Sequence, residues 1–558
     1  MDYLFDKDKI NWEKLDNCVK EADVLVPVPD AFIGFKKRKN LKESVEYFRE
    51  SLQKLGTNHW INFFYDADFT EFKEEIKNPL FLDVELTKDI SLFSTEGLLI
   101  DSFNLLKEEF SDEQEEVDFN EVLDNGKNQL LSESNYRLES TFEIGKQAEE
   151  FLEHHVLGSY HLDPAAAPFT GVSFEYKTPS YRKYNYGYGR AFDFLTAKNI
   201  ASLEAVERFA SEFYAFNYKN LAKKSTYEEL KTEYNVLPVS EIPLEANSKI
   251  NNNTSLFWLK GQDIKKDKEI FIPEDLVYYG NYPSREGYMR RLNDSSNGVA
   301  LGSNYTETMI SALLELIERH SFLMTWYGKV PGKRLVDYDD LITDKERKVV
   351  DKIEKIGARV NLFEISVFKG VYVVWGLIMN DTDGAIITTY TSAGAGFTLS
   401  EAIRAALMEV AVGYLVQGNT HETTPDLPKK IQTMDDHIDF YANPLSRKEF
   451  DFIDRFPKYK IIKQEPNLLK ICGTQEELVE HLLNVTLKGY KRIIFVNLTS
   501  KEMSSRGLYV VKAIIPEFLP MTFGDGNLRI NLDYINKSRA ELGLDKISSY
   551  SSRPHPFP

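Results

Sequence analysis

Cysteine is nearly absent: the 558 residues hold two, Cys18 and Cys472. With no CxxC pair, neither a cysteine-rich structural zinc site nor a disulfide framework can be built. A reducing compartment fits that usage. Long apolar runs are missing too. The longest, about Val371–Met379 and interrupted by Gly376, has strand length and falls far short of the ~20 residues that span a bilayer. Nor is there an excess of cations: 68 Lys and Arg stand against 87 Asp and Glu, a net charge of -19. Affinity for a phosphate backbone comes from neutralising cations, so no nucleic-acid partner is expected. A local basic pocket for a nucleotide remains allowed. The familiar phosphate-loop fingerprints are absent: no GxGxxG follows a strand and no GxxxxGK[ST] occurs. The stretch Met1–Leu15 lacks a basic start followed by an apolar segment, so no secretory signal is read there. The expectation is a soluble, cytoplasmic protein with no membrane partner.

What is present is an ordinary globular composition, 42% hydrophobic and 28% charged. The length allows several domains or one large α/β unit with an accessory piece. Val24–Val28 reads as a short edge strand, since Pro27 and Pro29 limit its pairing. Leu41–Leu55 has the three-and-four spacing of an amphipathic helix. Glu108–Asp124 carries nine Asp or Glu among seventeen residues, which reads as a solvated linker. Two domains are therefore expected: residues 1–145, an accessory or docking domain with an acidic linker, and residues 146–558, which hold the chemistry. In the second, helices are expected at Thr196–Asn220, Thr306–Tyr327 and Leu399–Gln417. Strands are expected at Phe169–Glu175, Asn361–Val367, Val371–Met379, Ala385–Thr391, Lys491–Leu498 and Gly507–Ile515. Val371–Met379 and Ala385–Thr391 read as a hairpin. The fold class is mixed α/β (α+β), with largely antiparallel sheets and packed helices.

The informative feature is repeated glutamate at helical spacing. Glu204, Glu207 and Arg208 stand at i, i+3 and i+4, and Ser311, Glu315 and Glu318 at i, i+4 and i+7, so each set shares one helix face. Both segments contain Glu-x-x-Glu-Arg. An amphipathic helix commonly shows such a stripe to water. Two stripes of like charge gain nothing, however, unless a cation sits between them. Several carboxylates with oxygen ligands suit Mg2+ bridging to nucleotide phosphates. Glycine-rich stretches precede each helix: Gly187–Arg190, Ser295–Gly302 and Thr391–Gly396. They read as loops whose backbone N–H groups and following helix N-terminus favour an anion.

In this order the sequence resembles the YcaO family, and within it the azoline-forming cyclodehydratases of ribosomal peptide biosynthesis. The resemblance runs over roughly residues 158–558. It is carried by Thr170-Gly-Val172, Gly189-Arg190, Glu204-Ala-Val-Glu-Arg208, Trp258-x-x-Gly261, and above all Ser296–Gly302 followed by Ala312–Arg319. Gly394-Ala-Gly396 with Ala402, Arg404, Ala405, Leu407 and Glu409 resembles a third block. Val510-Val-Lys512 resembles a late strand, and Pro554-His-Pro-Phe-Pro558 resembles a PxPxP tail. The sequence departs from the pattern at Ala191, Ile200 and Val412.

The resemblance implies a YcaO-like ATP-binding fold with ATP and Mg2+ as cofactors. It implies that Glu204, Glu207, Glu315 and Glu318 hold the metal and the nucleotide. Arg190, Arg208, Ser311, Arg319 and Glu409 would bind or orient the nucleotide, and Arg404 and Pro558 would serve catalysis. The implied reaction is ATP-dependent cyclodehydration of Cys, Ser or Thr in a precursor peptide to a thiazoline or oxazoline, by phosphorylation of the backbone amide oxygen. Thioamide formation and a noncatalytic nucleotide-binding scaffold are the alternatives. Implied partners are a ribosomal precursor peptide, a leader-binding scaffold protein related to ubiquitin-activating enzymes, and a flavin dehydrogenase, in a homodimer or hetero-oligomer. His320 and Cys472 read as buried structural residues and take no chemical role.

Overall fold

The computed structural model describes residues 116–125, 130–132, 135–156, 158–163, 166, 169–177, 184–211, 222–279, 291–420, 426–460 and 467–557, together with four strands nearer the N-terminus. These four are β1 (Asp23–Val28), β2 (Ala31–Lys36), β3 (Ile90–Ser94) and β4 (Leu99–Phe103), antiparallel neighbours in sequence order. The edge strand read at Val24–Val28 is β1. Leu41–Leu55 and Cys18 lie outside the described residues.

The acidic stretch does not end as a solvated linker. Its last residues form α1 (Phe119–Asn125), which buries Phe119 and Leu123, one turn apart, in the main core. The apolar pair decides the packing, and the acids of the same helix stay outward. Next comes α2 (Thr141–His155), closed at its start by a capping box of Ser140 and Glu143. It packs Ile144, Ala148, Phe151 and Leu152 against the following core. The expected boundary between residues 145 and 146 falls inside this helix.

Then follow β5 (Gly158–Asp163), β6 (Thr170–Lys177) and β7 (Tyr184–Ala191), a three-stranded antiparallel sheet covered by α3 (Phe194–Ser211). A six-stranded sheet is built from β8 (Lys223–Ser225), β9 (Leu256–Asp263), β10 (Lys268–Pro273), β11 (Val299–Gly302), β17 (Ile494–Asn497) and β18 (Tyr509–Ile514), in the order β10-β9-β17-β18-β11 with β8 on β9. Between β11 and the next sheet runs α4 (Tyr305–Trp326). The next sheet has five strands: β12 (Lys333–Val336), β13 (Ala358–Glu364), β14 (Tyr372–Asn380), β15 (Thr389–Gly396) and β16 (Lys458–Lys460), ordered β15-β14-β13-β12-β16. Only its β12–β16 pair is parallel. α5 (Leu399–Thr420) lies across β14 and β15. The expectation of mixed α/β with largely antiparallel sheets holds. α4 sits between the two larger sheets, touching β11 and β18 of one and β14 and β15 of the other.

Two of the three glycine stretches differ from the reading as loops, whereas Ser295–Gly298 does form a turn ahead of β11. Gly187 and Gly189 lie within β7, and Gly394 and Gly396 within β15. A Cβ on Gly189 would stand 1.8 Å from the Ala197 carbonyl oxygen, and one on Gly394 would stand 2.3 Å from the Ala406 nitrogen. Glycine is required there so that α3 and α5 can lie directly on their preceding strands. The hairpin is shifted as well: its second strand is β15, which shares only Thr389–Thr391 with the expected Ala385–Thr391, and Met379 pairs with Thr389.

Candidate active site

The site is built by α3, α4 and α5, each following a strand. Their starts are fixed locally. Asp193 accepts from the Thr196 N–H at 2.9 Å ahead of α3. Asn304 accepts from the Glu307 N–H at 2.9 Å at the start of α4. Thr398 and Glu401 close the first turn of α5 reciprocally.

α4 decides the arrangement. Sixteen of its 22 residues are buried. The exceptions beyond its first residue are Ser311, Glu315, Leu316, Glu318 and Arg319. Those five form a narrow stripe on a helix otherwise enclosed by protein. The side chains of Glu315 and Glu318 are only 26% and 14% exposed. A solvated amphipathic face is therefore excluded for this Glu-x-x-Glu-Arg string.

Electrostatics ties the three helices together. Burial, then the Glu315 and Glu204 carboxylates, drives the Glu207 carboxyl well above its ordinary range. Glu318 is pushed up to about 7, chiefly by burial and further by Glu409 and Glu315, against the pull of Arg319. Glu315 is raised by burial, against Arg319, the Gly298 N–H and Lys512. Its Oε2 accepts from that N–H at 3.1 Å. Glu409 behaves oppositely: burial works against its charge, yet Arg190, Arg319 and the Ser392 hydroxyl hold it below the usual carboxylate range. Arg190 is ion-paired with Glu409 and also attracted to Glu204, so it bridges α3 and α5. Arg208 pairs with Glu204 at 2.7 Å and donates to the Tyr186 carbonyl at 2.6 Å. Arg319 lies between Glu315 and Glu318 at 3.8 and 3.6 Å.

Of the sequence-predicted residues, Arg190, Glu204, Glu207, Arg208, Glu315, Glu318, Arg319 and Glu409 are thus gathered. Ser311 is on the same stripe, its hydroxyl 3.0 Å from the Tyr136 hydroxyl. Arg404 is not gathered. It is exposed on α5, five residues before Glu409 and so about 140° around the helix from it. Pro558 lies outside the described residues. Its neighbour Phe557 is buried, with its ring 4.0 Å from the Arg319 guanidinium and 4.9 Å from Phe322. The tail is held there firmly. Tyr441 donates to the Pro554 carbonyl at 2.5 Å, His437 Nδ1 donates to the His555 carbonyl at 2.9 Å, and the His555 ring nitrogens face the Thr522 and Phe557 carbonyl oxygens at 3.0 and 3.1 Å.

Sequence reading missed two members. Glu307 is buried one turn before Ser311, on the same stripe, and its Oε2 accepts from Ser303 at 2.7 Å. The four-residue spacing 307-311-315 was the available signal. Lys512, buried in β18, attracts Glu315. Beside Arg319 lies a cavity of about 60 Å3, lined by apolar residues such as Leu316, Ile514 and Phe518 and by the charged Arg319, Lys512, Arg529 and Asp294, the last two ion-paired at 3.2 Å. His320 has no part in the site. It is buried against Phe518, its ring nitrogen Nδ1 accepts from the Leu519 N–H at 3.1 Å, and burial pushes it down to about 3. Cys472 is buried as well, its thiol pushed up to about 11 by burial.

Among the described residues no three His, Cys, Asp or Glu side chains gather closely enough to hold a metal ion by themselves. Mg2+ bound with a nucleotide takes carboxylate oxygens and completes its shell with phosphate oxygens and water. The raised carboxyls Glu207, Glu315 and Glu318 supply anionic oxygens whose mutual repulsion a divalent cation would relieve. No helix among the described residues is long and apolar enough to cross a membrane.

Comparison with known proteins gives the family and the fold. The sequence matches the family described as YcaO cyclodehydratase, ATP- and Mg2+-binding, over residues 188–519. An uncharacterised protein of Methanothermobacter thermautotrophicus is 26% identical over 332 residues, which are 57% of this chain and 78% of that one. The fold is similar to YcaO from Methanopyrus kandleri bound with AMPPCP and Mg2+, with a TM-score of 0.52, 18% identity, and coverage of 70% of this chain and 94% of that chain. It is also similar to a heterocyclase in complex with substrate and cofactor, with a TM-score of 0.61, 16% identity, and coverage of 93% of this chain and 70% of the other. The E. coli microcin synthetase McbBCD complex with pro-MccB17 bound gives a TM-score of 0.52 at 13% identity, covering 72% of this chain and 96% of that one. ATP and Mg2+ are the cofactors of the matched family, and the match spans well over half of the sequence. The chain belongs to the YcaO family.

Proposed function

We propose that this protein is an ATP-dependent peptide cyclodehydratase that converts Cys, Ser or Thr of a ribosomal precursor peptide to a thiazoline or oxazoline. One observation carries the reading: the tail residue Phe557 packs on Arg319, the residue that also lies between Glu315 and Glu318. A segment resembling the cyclodehydratase PxPxP tail thereby meets the glutamate stripe.

Bound MgATP would supply the phosphoryl group that turns the amide oxygen into a leaving group. The chain's own residues provide the setting. Glu204, Glu207, Glu315 and Glu318 offer oxygen ligands. Arg190 and Arg208 hold Glu409 and Glu204 in place, and Ser311 sits within reach of the same ligand. Arg319 and Lys512 face the cavity, where they would attract the anion that forms when the side chain attacks the preceding carbonyl. Pro558, next to the buried Phe557 in the sequence, is the residue to which we give the substrate-facing role. No step is assigned to Arg404.

Residues before Glu116 remain the proposed docking part for the leader peptide or for a scaffold related to ubiquitin-activating enzymes. We place the proposed boundary before Glu116 instead of at 145, a reading that the packing of α1 and α2 on the cores supports. The flavin dehydrogenase and a homodimeric or hetero-oligomeric state belong to the same proposal.

The test incubates the full chain with MgATP and peptides carrying one internal Cys, Ser or Thr. Loss of one water per peptide, with matching phosphate release, is expected. Oxygen-for-sulfur exchange in the presence of sulfide would favour the thioamide alternative. ATP binding without any change in peptide mass would favour the scaffold alternative.

A further inference from the structure

A short segment outside the family match lies against the glutamate stripe. Residues 135–139 precede the matched range of 188–519, yet they are fastened to α4 at two points. The Tyr136 hydroxyl is 3.0 Å from the Ser311 hydroxyl, and the Leu138 N–H donates to Glu307 Oε2 at 3.3 Å. Other elements hold the segment from behind. Gln475 donates to the Tyr136 carbonyl at 2.5 Å, the Leu131 N–H donates to the Gly473 carbonyl at 2.9 Å, and the Tyr136 ring meets Phe397 edge-on at 5.8 Å. Arg137 stands between the two fastened residues, its guanidinium 5.8 Å from the centre of the Tyr136 ring. Its charge is favoured by Tyr136, Glu307 and Glu207.

We infer that this segment is a built-in wall of the nucleotide site, in which Arg137 binds the polyphosphate of MgATP and Tyr136 positions Ser311. The inference rests on the reading of the glutamate stripe as the MgATP site. The physical reason is an exchange of partners. Without metal, the Arg137 guanidinium is a cation held beside the Tyr136 ring, its charge favoured by Tyr136 first and then by Glu307 and Glu207. When Mg2+ takes the carboxylates, that guanidinium is released beside the incoming phosphates, whose oxygens it can grip with two parallel N–H donors. The segment is also tied through contacts that do not involve the guanidinium, from the Leu138 N–H to Glu307, from Gln475 to the Tyr136 carbonyl and from the Leu131 N–H to the Gly473 carbonyl, so Arg137 can change partner without moving the wall.

The exchange gives a signature that a merely structural arginine would not. In the full chain, Arg137→Gln is expected to weaken MgATP binding about 10- to 100-fold. It is expected to leave the affinity for Mn2+ alone unchanged or to tighten it, because the competing cation is gone. Arg137→Lys, which keeps charge but not the fork, should fall between. Tyr136→Phe, which deletes the hydroxyl contacts with Ser311 and with the Arg137 guanidinium but keeps that cation, should weaken MgATP less than Arg137→Gln. Titration calorimetry for MgATP and the spin signal of free Mn2+ read the two affinities. MgATP affinity within twofold of wild type in Arg137→Gln would overturn the proposal. So would a parallel loss of Mn2+ and MgATP affinity, since that marks a collapsed wall. A wild-type chain that binds no MgATP would instead refute the proposed function itself, a result distinct from both.

Discussion

Replacing Glu318 by Gln should make the protein more stable and less able to bind its nucleotide. Glu318 is pushed up to about 7 from an ordinary 4.5, by burial and then by Glu409 and Glu315. At 1.36 kcal/mol per pH unit, ionising it inside the fold costs about 3 kcal/mol more than in the unfolded chain. Between pH 4.5 and 7 the folded protein therefore holds a proton that the unfolded chain has released. Stability falls as pH rises through that window, and the loss is complete above it. Glu207 and Glu315 are raised too and act in the same direction. The buried histidines act in the opposite one. Held neutral by burial, His320, His437 and His555 withdraw stability as pH falls below about 6.5. A raw stability profile mixes both effects, but the difference between wild type and Glu318→Gln isolates the carboxyl. Near pH 4.5 the two proteins should have similar urea midpoints. At pH 8 the variant should be more stable by up to about 3 kcal/mol, with at least about a tenfold loss of MgATP affinity from the missing anionic ligand. A variant that is less stable than wild type at pH 8, or a difference that does not change with pH, would refute the reasoning.

Deleting Phe557 and Pro558 should lower turnover on peptide far more than MgATP affinity, because the tail covers Arg319 and not the carboxylate ligands; a calorimetric and turnover pair on the same preparation checks this. Gly189→Ala should cost at least about 3 kcal/mol or abolish folding, since its Cβ would stand 1.8 Å from the Ala197 carbonyl oxygen. Gly384→Ala, at a positive φ of 80° with nothing within 4 Å, should cost only about 1–2 kcal/mol; thermal midpoints compare the two. A chain starting at Glu116 should still bind MgATP, whereas one starting at Lys146 should lose it together with α1, Arg137 and the first turn of α2. Equal affinity in both truncations would show that residues 116–145 contribute nothing to the site.

Much of the site was legible because helical spacing is a strong signal. Glu204/Glu207 and Ser311/Glu315/Glu318 fall on shared faces in any regular helix, and α3 and α4 are regular. What spacing could not tell is where the stripe faces. Only the two sheets that enclose α4 turn a commonplace polar face into a buried one. Glycine misled the reading in a systematic way. Thr391–Gly396 resembles a loop by composition, but Gly394 is there because α5 crosses β15 at backbone distance, and the strand simply continues through it. The acidic stretch misled by a different route. Counting its charges hid Phe119 and Leu123, whose four-residue spacing was enough to dock a helix. Glu307 could have been read from the same stripe as Ser311. Arg137 and Lys512 could not, because their relation to the glutamates exists only after distant segments are brought together.

The central claim is that the backbone amide oxygen leaves the peptide on the phosphoryl group of ATP. It is tested most directly with a peptide carrying one internal Cys and heavy oxygen in the carbonyl just before it. Incubated with the full chain and MgATP, such a peptide should lose its label as it loses water, and the label should appear in the released inorganic phosphate. Label lost to bulk water, or retained in the peptide while ATP is hydrolysed, would contradict the account.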